Sequence, residues 1–516
     1  MTTIESTRLR PANQLIPTST PLSILDATVV RFSPTGAIWI FNRPAEIHQK
    51  TLTNHLRTSF LETLSKFPQW AGQLQWAPIN PKGNHTERFN RPLIVYGTET
   101  DPGVEWTVVE QPIRADEIVP TAEERASSTT GSQPGAWVGD DFNQSLFLPS
   151  SPLALANLRD CAGLPGMQVQ ITLLQGGYVI GVQMAHCLAD AQTLMVFMHL
   201  WAHHSKKQFG TQPESPLMGE PVFDPAMLDR CAAGDIDRPE PDQHIVDTAR
   251  KLPLHRFSWW NSADEGCPEF SIPTTENSRP PPAEIDYRRV SPSEPAPWAS
   301  WDFSKRVRYT QLHFTGAKLS KLQTVARETG CRSDISRLDA LLAHLWIAIT
   351  RARGQAASSR PTFMNLSLGT RPRVCPALPD TFIGSPLFLT HVGGAGSSVC
   401  RAVLGEAASR IRGTIKGFTA DAVGAMLHDA AYEVSPQRLW QAFLGSEHTI
   451  VTSWLRLQLY EVDFVGGDKP RYVHAVLPKM DGCVQVMDSA VGEGGMDVAL
   501  YLDEVATERL LDGVCS

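Results

Sequence analysis

The sequence predicts a mixed α/β (α+β) fold in two domains joined by a long crossover, and three observations carry that prediction. The chain has 516 residues with 42% hydrophobic composition, enough apolar material for two ordinary cores. Period-2 runs of β-branched and apolar residues and period-3.6 apolar runs are interleaved in both halves, without the regular alternation of a doubly wound sheet. Between them, roughly 208–300 is dense in proline, with Pro280, Pro281 and Pro282 and then Pro292, Pro295 and Pro297. Such a segment supports neither long helices nor central strands, and it is too long for a loop inside one compact domain. The predicted units are 1–207, the crossover 208–300, partly packed through Phe257, Trp259 and Trp260, and 301–516.

Taken in order, residues 22–41 read as two strand-like runs, LSILDATVV and GAIWIFN, around the turn Ser33-Pro34-Thr35-Gly36. Leu56, Phe60, Leu61 and Leu64 place a helix over 52–67, and 74–76 begins another strand. Residues 115–142, rich in Ser, Thr, Gly, Asp and Glu, read as a surface loop. The runs 167–174 and 178–184 across Gln175-Gly176-Gly177 form a hairpin. A turn follows, and Leu194, Phe197, Met198 and Trp201 at i, i+3, i+4 and i+7 make an amphipathic helix. The second half has strands at 309–314, 362–368, 449–455, 483–487 and 498–502. Its helices are predicted over 317–329, closed by Gly330, and over 337–353, capped by Ser336 and closed by Gly354. Further helices are predicted over 399–416, 436–444 and 504–511, and the Gly393-Gly394-Ala395-Gly396 stretch reads as a flexible loop.

A net charge of −8 with no basic run argues against nucleic acid or an anionic membrane as partner. Nine scattered cysteines without a C-x-x-C pair point to free thiols in a reducing compartment. The N-terminal MTTIESTRLRPANQL lacks a signal-peptide core, and the most apolar segment, 338–350, is interrupted by Asp339 and His344. The expectation is a cytoplasmic monomer.

The chemistry concentrates in the turn between the hairpin and its helix. His186 and Asp190 stand there as H-x-x-x-D, between two elements that would hold them rigid. A neutral imidazole with a pKa near 6.5 accepts a hydroxyl proton at neutral pH and returns it later. The competing reading is a buried histidine with Asp190 as helix N-cap. His199 and His203 stand at i, i+4, but without H-E-x-x-H they read as a solvated helix end, and no metal site is expected. No G-x-S-x-G, G-x-x-x-x-G-K-[ST] or G-x-G-x-x-G is present. A second notable run spans 452–470, where a strand enters the turn Gly466-Gly467 and Thr452 and Trp454 offer O–H and N–H donors; a core tryptophan with a tight turn is the plainer alternative.

With both runs in view the chain resembles the BAHD acyltransferases, and more narrowly their fungal secondary-metabolite members, relatives of trichothecene acetyltransferases and plant hydroxycinnamoyltransferases. Four landmarks carry the likeness: Leu22-Ser23-Ile24-Leu25-Asp26, His186 to Asp190, Arg371-Pro372-Arg373-Val374-Cys375-Pro376, and 452–470, which matches T-S-W-x-R-L…D-F-G-W-G-K-P. Ala191 replaces a common Gly, and Val465-Gly466-Gly467-Asp468 replaces G-W-G with one extra residue.

The resemblance implies two chloramphenicol-acetyltransferase-like domains with a channel between them and His186 at its middle. It implies an acyltransferase for groups other than aminoacyl, taking acyl-CoA, an acetyl donor in this reading, as co-substrate and a small-molecule alcohol as acceptor, with no permanently bound cofactor. His186 would be the general base, and Trp454 and Thr452 would serve the oxyanion. Asp190 would pair with Arg371 in a structural role, and Asp463 and Gly467 would be structural as well. The family does not identify the CoA-binding residues of this chain. Two alternatives remain: a condensation-type domain working on carrier-protein thioesters, against which Ala185 stands where such domains usually carry a second His, and a catalytically silent binding member of the fold.

Overall fold

The structure is a computed structural model that describes residues 1–13, 16–30, 34–43, 46–88, 91–154, 161–210, 219–257, 294–298, 301–440, 445–467 and 469–513. Two large sheets organise it. Their strands, in chain order, are β1 (Thr2–Leu9), β2 (Thr35–Asn42), β3 (Val104–Arg114), β4 (Ala136–Val138), β5 (Met167–Gln175), β6 (Gly177–Met184), β7 (Val307–Phe314), β8 (Pro361–Gly369), β9 (Leu387–Ala395), β10 (His448–Ser453), β11 (Tyr472–Ala475), β12 (Cys483–Asp488) and β13 (Met496–Asp503). The first sheet runs β1-β3-β5-β6-β2-β11 and the second β9-β8-β10-β12-β13-β7-β4. Each sheet borrows an edge strand from the other half of the chain: β11 pairs antiparallel with β2, and β4 pairs antiparallel with β7.

The hairpin β5–β6 is the spine of the first sheet. Its register, Leu174 opposite Gly177, leaves a two-residue turn in which Gly176 takes φ +72°, a conformation glycine adopts without steric cost. Helices α1 (Gln49–Leu64) and α2 (Ala191–Gln208) cover the sheet. Between them Phe60, Phe67, Trp70, Phe197 and Trp201 form a continuous aromatic layer with ring centroids 4.5–5.6 Å apart in the closest pairs. In the second half, α3 (Gly316–Gly330), α4 (Arg337–Ala352) and α5 (Leu404–Gly417) pack on the other sheet. The start of α4 is fixed by Ser336 and Asp339, which cap each other's backbone N–H.

Several expectations are corrected. Residues 22–30 form buried turns, not a strand. Ser23 donates its N–H and Oγ–H to Asp26 Oδ2 at 2.9 and 2.7 Å, and this local bonding competes with a sheet ladder. The stretch read as a loop, 115–142, contains two short helices and β4, because its Ala136 and Trp137 find partners only in the distant strand β7. Gly330 belongs to α3. The cap is Cys331 at φ +51°, and the glycine instead permits close approach, since a Cβ there would stand 2.5 Å from Gly405 O. The helix expected over 399–416 is broken at Ala402-Val403 into Gly396–Arg401 and α5. Gly393, Gly394 and Ala395 lie in the edge strand β9 and are no flexible loop. Helix α6 (Ala420–Ala431) and strands β1, β3, β9 and β11 have no counterpart among the elements the sequence predicts. Of the helix expected over 436–444, the described part is a 3-10 turn, Pro436–Leu439, followed by an extended Trp440, and 441–444 fall outside the described residues.

The proline-dense segment packs where it is described. Helix Gln243–Ala249 lies against α6, and Phe257 is buried with Ala296 and Trp298. Trp259, Trp260, Pro280, Pro281, Pro282, Pro292 and Asp468 fall outside the described residues.

Candidate active site

Strand β6 delivers the site's central residue. The chain leaves Met184, makes one 3-10 turn at His186–Leu188 and enters α2 at Asp190. Asp190 caps the helix, its Oδ1 accepting the Thr193 N–H at 2.8 Å. The same carboxylate receives Arg371, whose Nη1 and Nη2 donate to Oδ2 at 2.6 Å and to Oδ1 at 3.0 Å. Arg371 Nη2 also reaches Thr193 Oγ1 and the Phe382 carbonyl, both at 2.9 Å. Both charges are buried, and the bidentate pair staples the two halves together, with only Arg371 Nε left without a partner on the guanidinium. Asp190 is thus cap and ion-pair partner at once, and it makes no hydrogen bond to the His186 ring.

The imidazole instead uses Nδ1 on Ser385 Oγ, 3.1 Å away, and the same hydroxyl donates to the His186 carbonyl. The Trp440 ring stands 5.5 Å from the imidazole, centroid to centroid. Burial holds the His186 pKa below its usual range, so the ring is neutral at pH 7. Burial also drives the neighbouring Cys187 thiol well upward, which keeps it protonated and a poor nucleophile.

His186 opens into a cleft of about 1120 Å³, its mouth included, lined on one side by Thr35, Gly36, Asp190 and Gln192 and on the other by Ser367, Trp440, Thr452, Ser453 and Trp454. Thr452 lies on β10, whose neighbour in register is Gln485 on β12. The chain then leaves the second sheet at Trp454, whose backbone N–H donates to the Val486 carbonyl at 2.8 Å, and crosses onto the first half. There Trp39 Nε1 donates to Leu459 O at 3.2 Å, and Ser205 Oγ to Phe464 O at 2.8 Å, before β11 joins the first sheet. The start of this strap lines the cleft and brings Trp454 to the same cavity as His186.

Asp463 and Gly467 sit further along the strap, outside the cleft lining. Asp463 Oδ1 accepts the N–H groups of Val465 and Gly466, and Oδ2 that of Gly467 at 2.7 Å. With Gly466 and Gly467 both near φ +93°, the carboxylate is the frame of a tight turn against α2. His199, expected on a solvated helix end, is buried, with Nε2 3.1 Å from the Leu457 carbonyl. The strap covers that part of α2. Among the described residues no group of three or more His, Cys, Asp or Glu is arranged to hold a metal, and no helix is long and apolar enough to cross a membrane.

Sequence reasoning missed Ser385 and Trp440. The former stands in Gly384-Ser385-Pro386, whose only local signature is a turn, and its partner is 199 residues away. The latter reads as one more helix-face aromatic.

Comparisons with known proteins bear on family and fold. The chain matches the Transferase family over residues 1–82, 143–255 and 268–510. It is 26% identical over 456 residues to acyltransferase AFT15-1 of Alternaria alternata, covering 87% of this chain and 82% of that one. The fold is shared with TRI101 of F. sporotrichioides, crystallised with coenzyme A and T-2, at TM-score 0.62 and 17% identity over 96% of this chain and 97% of that one. It is shared too with vinorine synthase, at TM-score 0.59 and 17% identity over 98% and 95%. A two-half α/β fold with His186 at the cleft between the halves, and a family match across most of its length, identify the chain as a member of the Transferase family, the BAHD acyltransferases, which transfer groups other than aminoacyl.

Proposed function

We propose that this acyltransferase moves an acyl group, acetyl in the first instance, from acyl-CoA to a hydroxyl of a small secondary metabolite, with His186 as general base. The observation that carries the reading is the neutral imidazole at the cleft wall, its Nδ1 occupied by Ser385 and its neighbouring carboxylate committed to Arg371. Support for the donor comes from TRI101, a fold relative crystallised with coenzyme A. The cleft mixes apolar Leu387, Ile450 and Leu457 with hydroxyls of Ser367, Thr452 and Ser453, which suits a compact, partly oxygenated acceptor.

In this reading the His186 ring takes the acceptor's hydroxyl proton as that oxygen attacks the thioester carbonyl. The tetrahedral oxyanion collapses, the C–S bond breaks, and the imidazolium returns the proton to the CoA thiolate. Thr452 Oγ1 and Trp454 Nε1 are the donors proposed for the oxyanion. No acyl-enzyme is needed, consistent with the protonated Cys187.

The test is turnover of His186→Ala with acetyl-CoA and host extract as acceptor source, products followed by mass spectrometry. Loss of the base is expected to lower the rate by about 10²–10⁴-fold with the fold intact by circular dichroism. A folded variant with near-normal rate overturns the assignment.

A further inference from the structure

Resting on the reading of His186 as base, we infer that Ser385 is its positioning residue, fixing the tautomer that leaves Nε2 unprotonated toward the cleft, and that Asp26 in turn fixes Ser385. The inference is a proton count. Ser385 Oγ lies against two groups, the His186 carbonyl and His186 Nδ1. A carbonyl oxygen carries no proton, so the serine must donate its single hydroxyl proton there. The 3.1 Å contact to Nδ1 then needs its proton from the ring, so Nδ1–H donates to Oγ. A neutral imidazole protonated at Nδ1 has its lone pair on Nε2, the form a base requires.

Ser385 is in a position to enforce this because burial and hydrogen bonds on either side hold it in place. It is fully buried. Its N–H donates to Asp26 Oδ1 at 2.6 Å, while Asp26 Oδ2 accepts from Ser23 N and Oγ. The preceding Gly384 carbonyl accepts the Asp190 N–H at 3.0 Å and the Thr193 hydroxyl at 2.9 Å. Gly384 itself has φ +145°, and a Cβ there would stand 3.1 Å from Asp26 Oδ1, so the approach of this carboxylate depends on glycine. The Leu22-Ser23-Ile24-Leu25-Asp26 stretch near the N-terminus therefore reaches the base through one serine, by holding a backbone amide, without approaching the cleft.

Two measurements test this. In protein labelled with ¹⁵N-histidine, the nitrogen pair that disappears in His186→Ala belongs to His186. In the wild type it is expected to show Nδ1 protonated and Nε2 bare at pH 7.5, and an Nε2-protonated ring overturns the inference. In Ser385→Ala the ring is expected to become a mixture of tautomers. There kcat should fall at least about 10-fold, within the limit of about 10²–10⁴ set by a general base, with KM for acyl-CoA within twofold. Ser385→Thr, which keeps the hydroxyl, should recover most of that loss. A folded Ser385→Ala enzyme with wild-type kcat and an unchanged ring spectrum sinks the proposal; if that variant does not fold, the wild-type spectrum decides. A near-normal rate in His186→Ala would instead remove the base assignment, an outcome separate from where the ring proton sits.

Discussion

At the scale of single residues, the geometry separates the side chain proposed as base from the side chains that hold its turn. His186 is half-buried and neutral, whereas Asp190, four residues on, spends both carboxylate oxygens on Arg371 and on a helix cap. The imidazole is bonded to Ser385 and not to Asp190, so the structure has no triad-like contact between the two. Trp454 poses a different question, because the ring is mostly buried against the first core and also lines the cleft. Trp454→Phe retains most of that packing and deletes one N–H. If the donor acts on the oxyanion, kcat should fall by up to about 10²–10³-fold with KM little changed. An unchanged kcat at normal stability would leave Trp454 a packing residue.

Among the elements, the junction of β6, the His186 turn and α2 is held from the opposite half by one guanidinium. Arg371 ties the first turn of α2 to the Phe382 carbonyl, and Gly384 O takes the Asp190 N–H, so α2 starts where the second half tells it to. Breaking a buried pair strands a charge at a cost of roughly 3–5 kcal/mol. Asp190→Asn and Arg371→Met should each lower the melting temperature markedly, and Asp190→Asn should lower turnover as well. A double-mutant cycle should show that the second substitution adds little to the first. Additive losses would mean that the two side chains act independently.

For the whole molecule, the halves are joined by the ion pair, by exchanged edge strands and by buried aromatic and histidine contacts, and the last give stability a pH dependence. His255 of the crossover stacks on His391 of β9 at 3.8 Å, with His448 of β10 beside them; burial holds these rings at about 2, 4 and 3. His474 of the exchanged strand β11, bonded to Tyr472 and Tyr501, is held at about 3. In the unfolded chain these rings take up protons below about pH 6.5, while in the folded chain they stay neutral. Their neutral packing is therefore fully available above that pH and is progressively lost as pH falls from 6.5 toward 4. Melting temperatures measured between pH 8 and 4 should be nearly flat at first and then decline, and His255→Phe should shallow the decline; a curve unchanged by that substitution would place the acid sensitivity elsewhere. Elements with a strong local period or cap were legible in the chain itself: the β5–β6 hairpin, α1, α2, and α4 with its Ser336–Asp339 cap. The H-x-x-x-D turn and the strand end at Thr452 and Trp454 could be singled out too, because their residue types sit at turns the local pattern fixes. Strands such as β4 and β11 could not be read, since they are short and owe their existence to partners far away in the chain, β7 and β2. For the same reason Ser385 and Trp440 became part of the site only in three dimensions, and Asp26, visible in the sequence only as part of a family landmark, found its partner Ser385 there too. Their side chains carry no local signature of chemistry, and it is the tertiary hydrogen bonds, which depend on where the two halves meet, that decide which nitrogen of His186 faces the cleft.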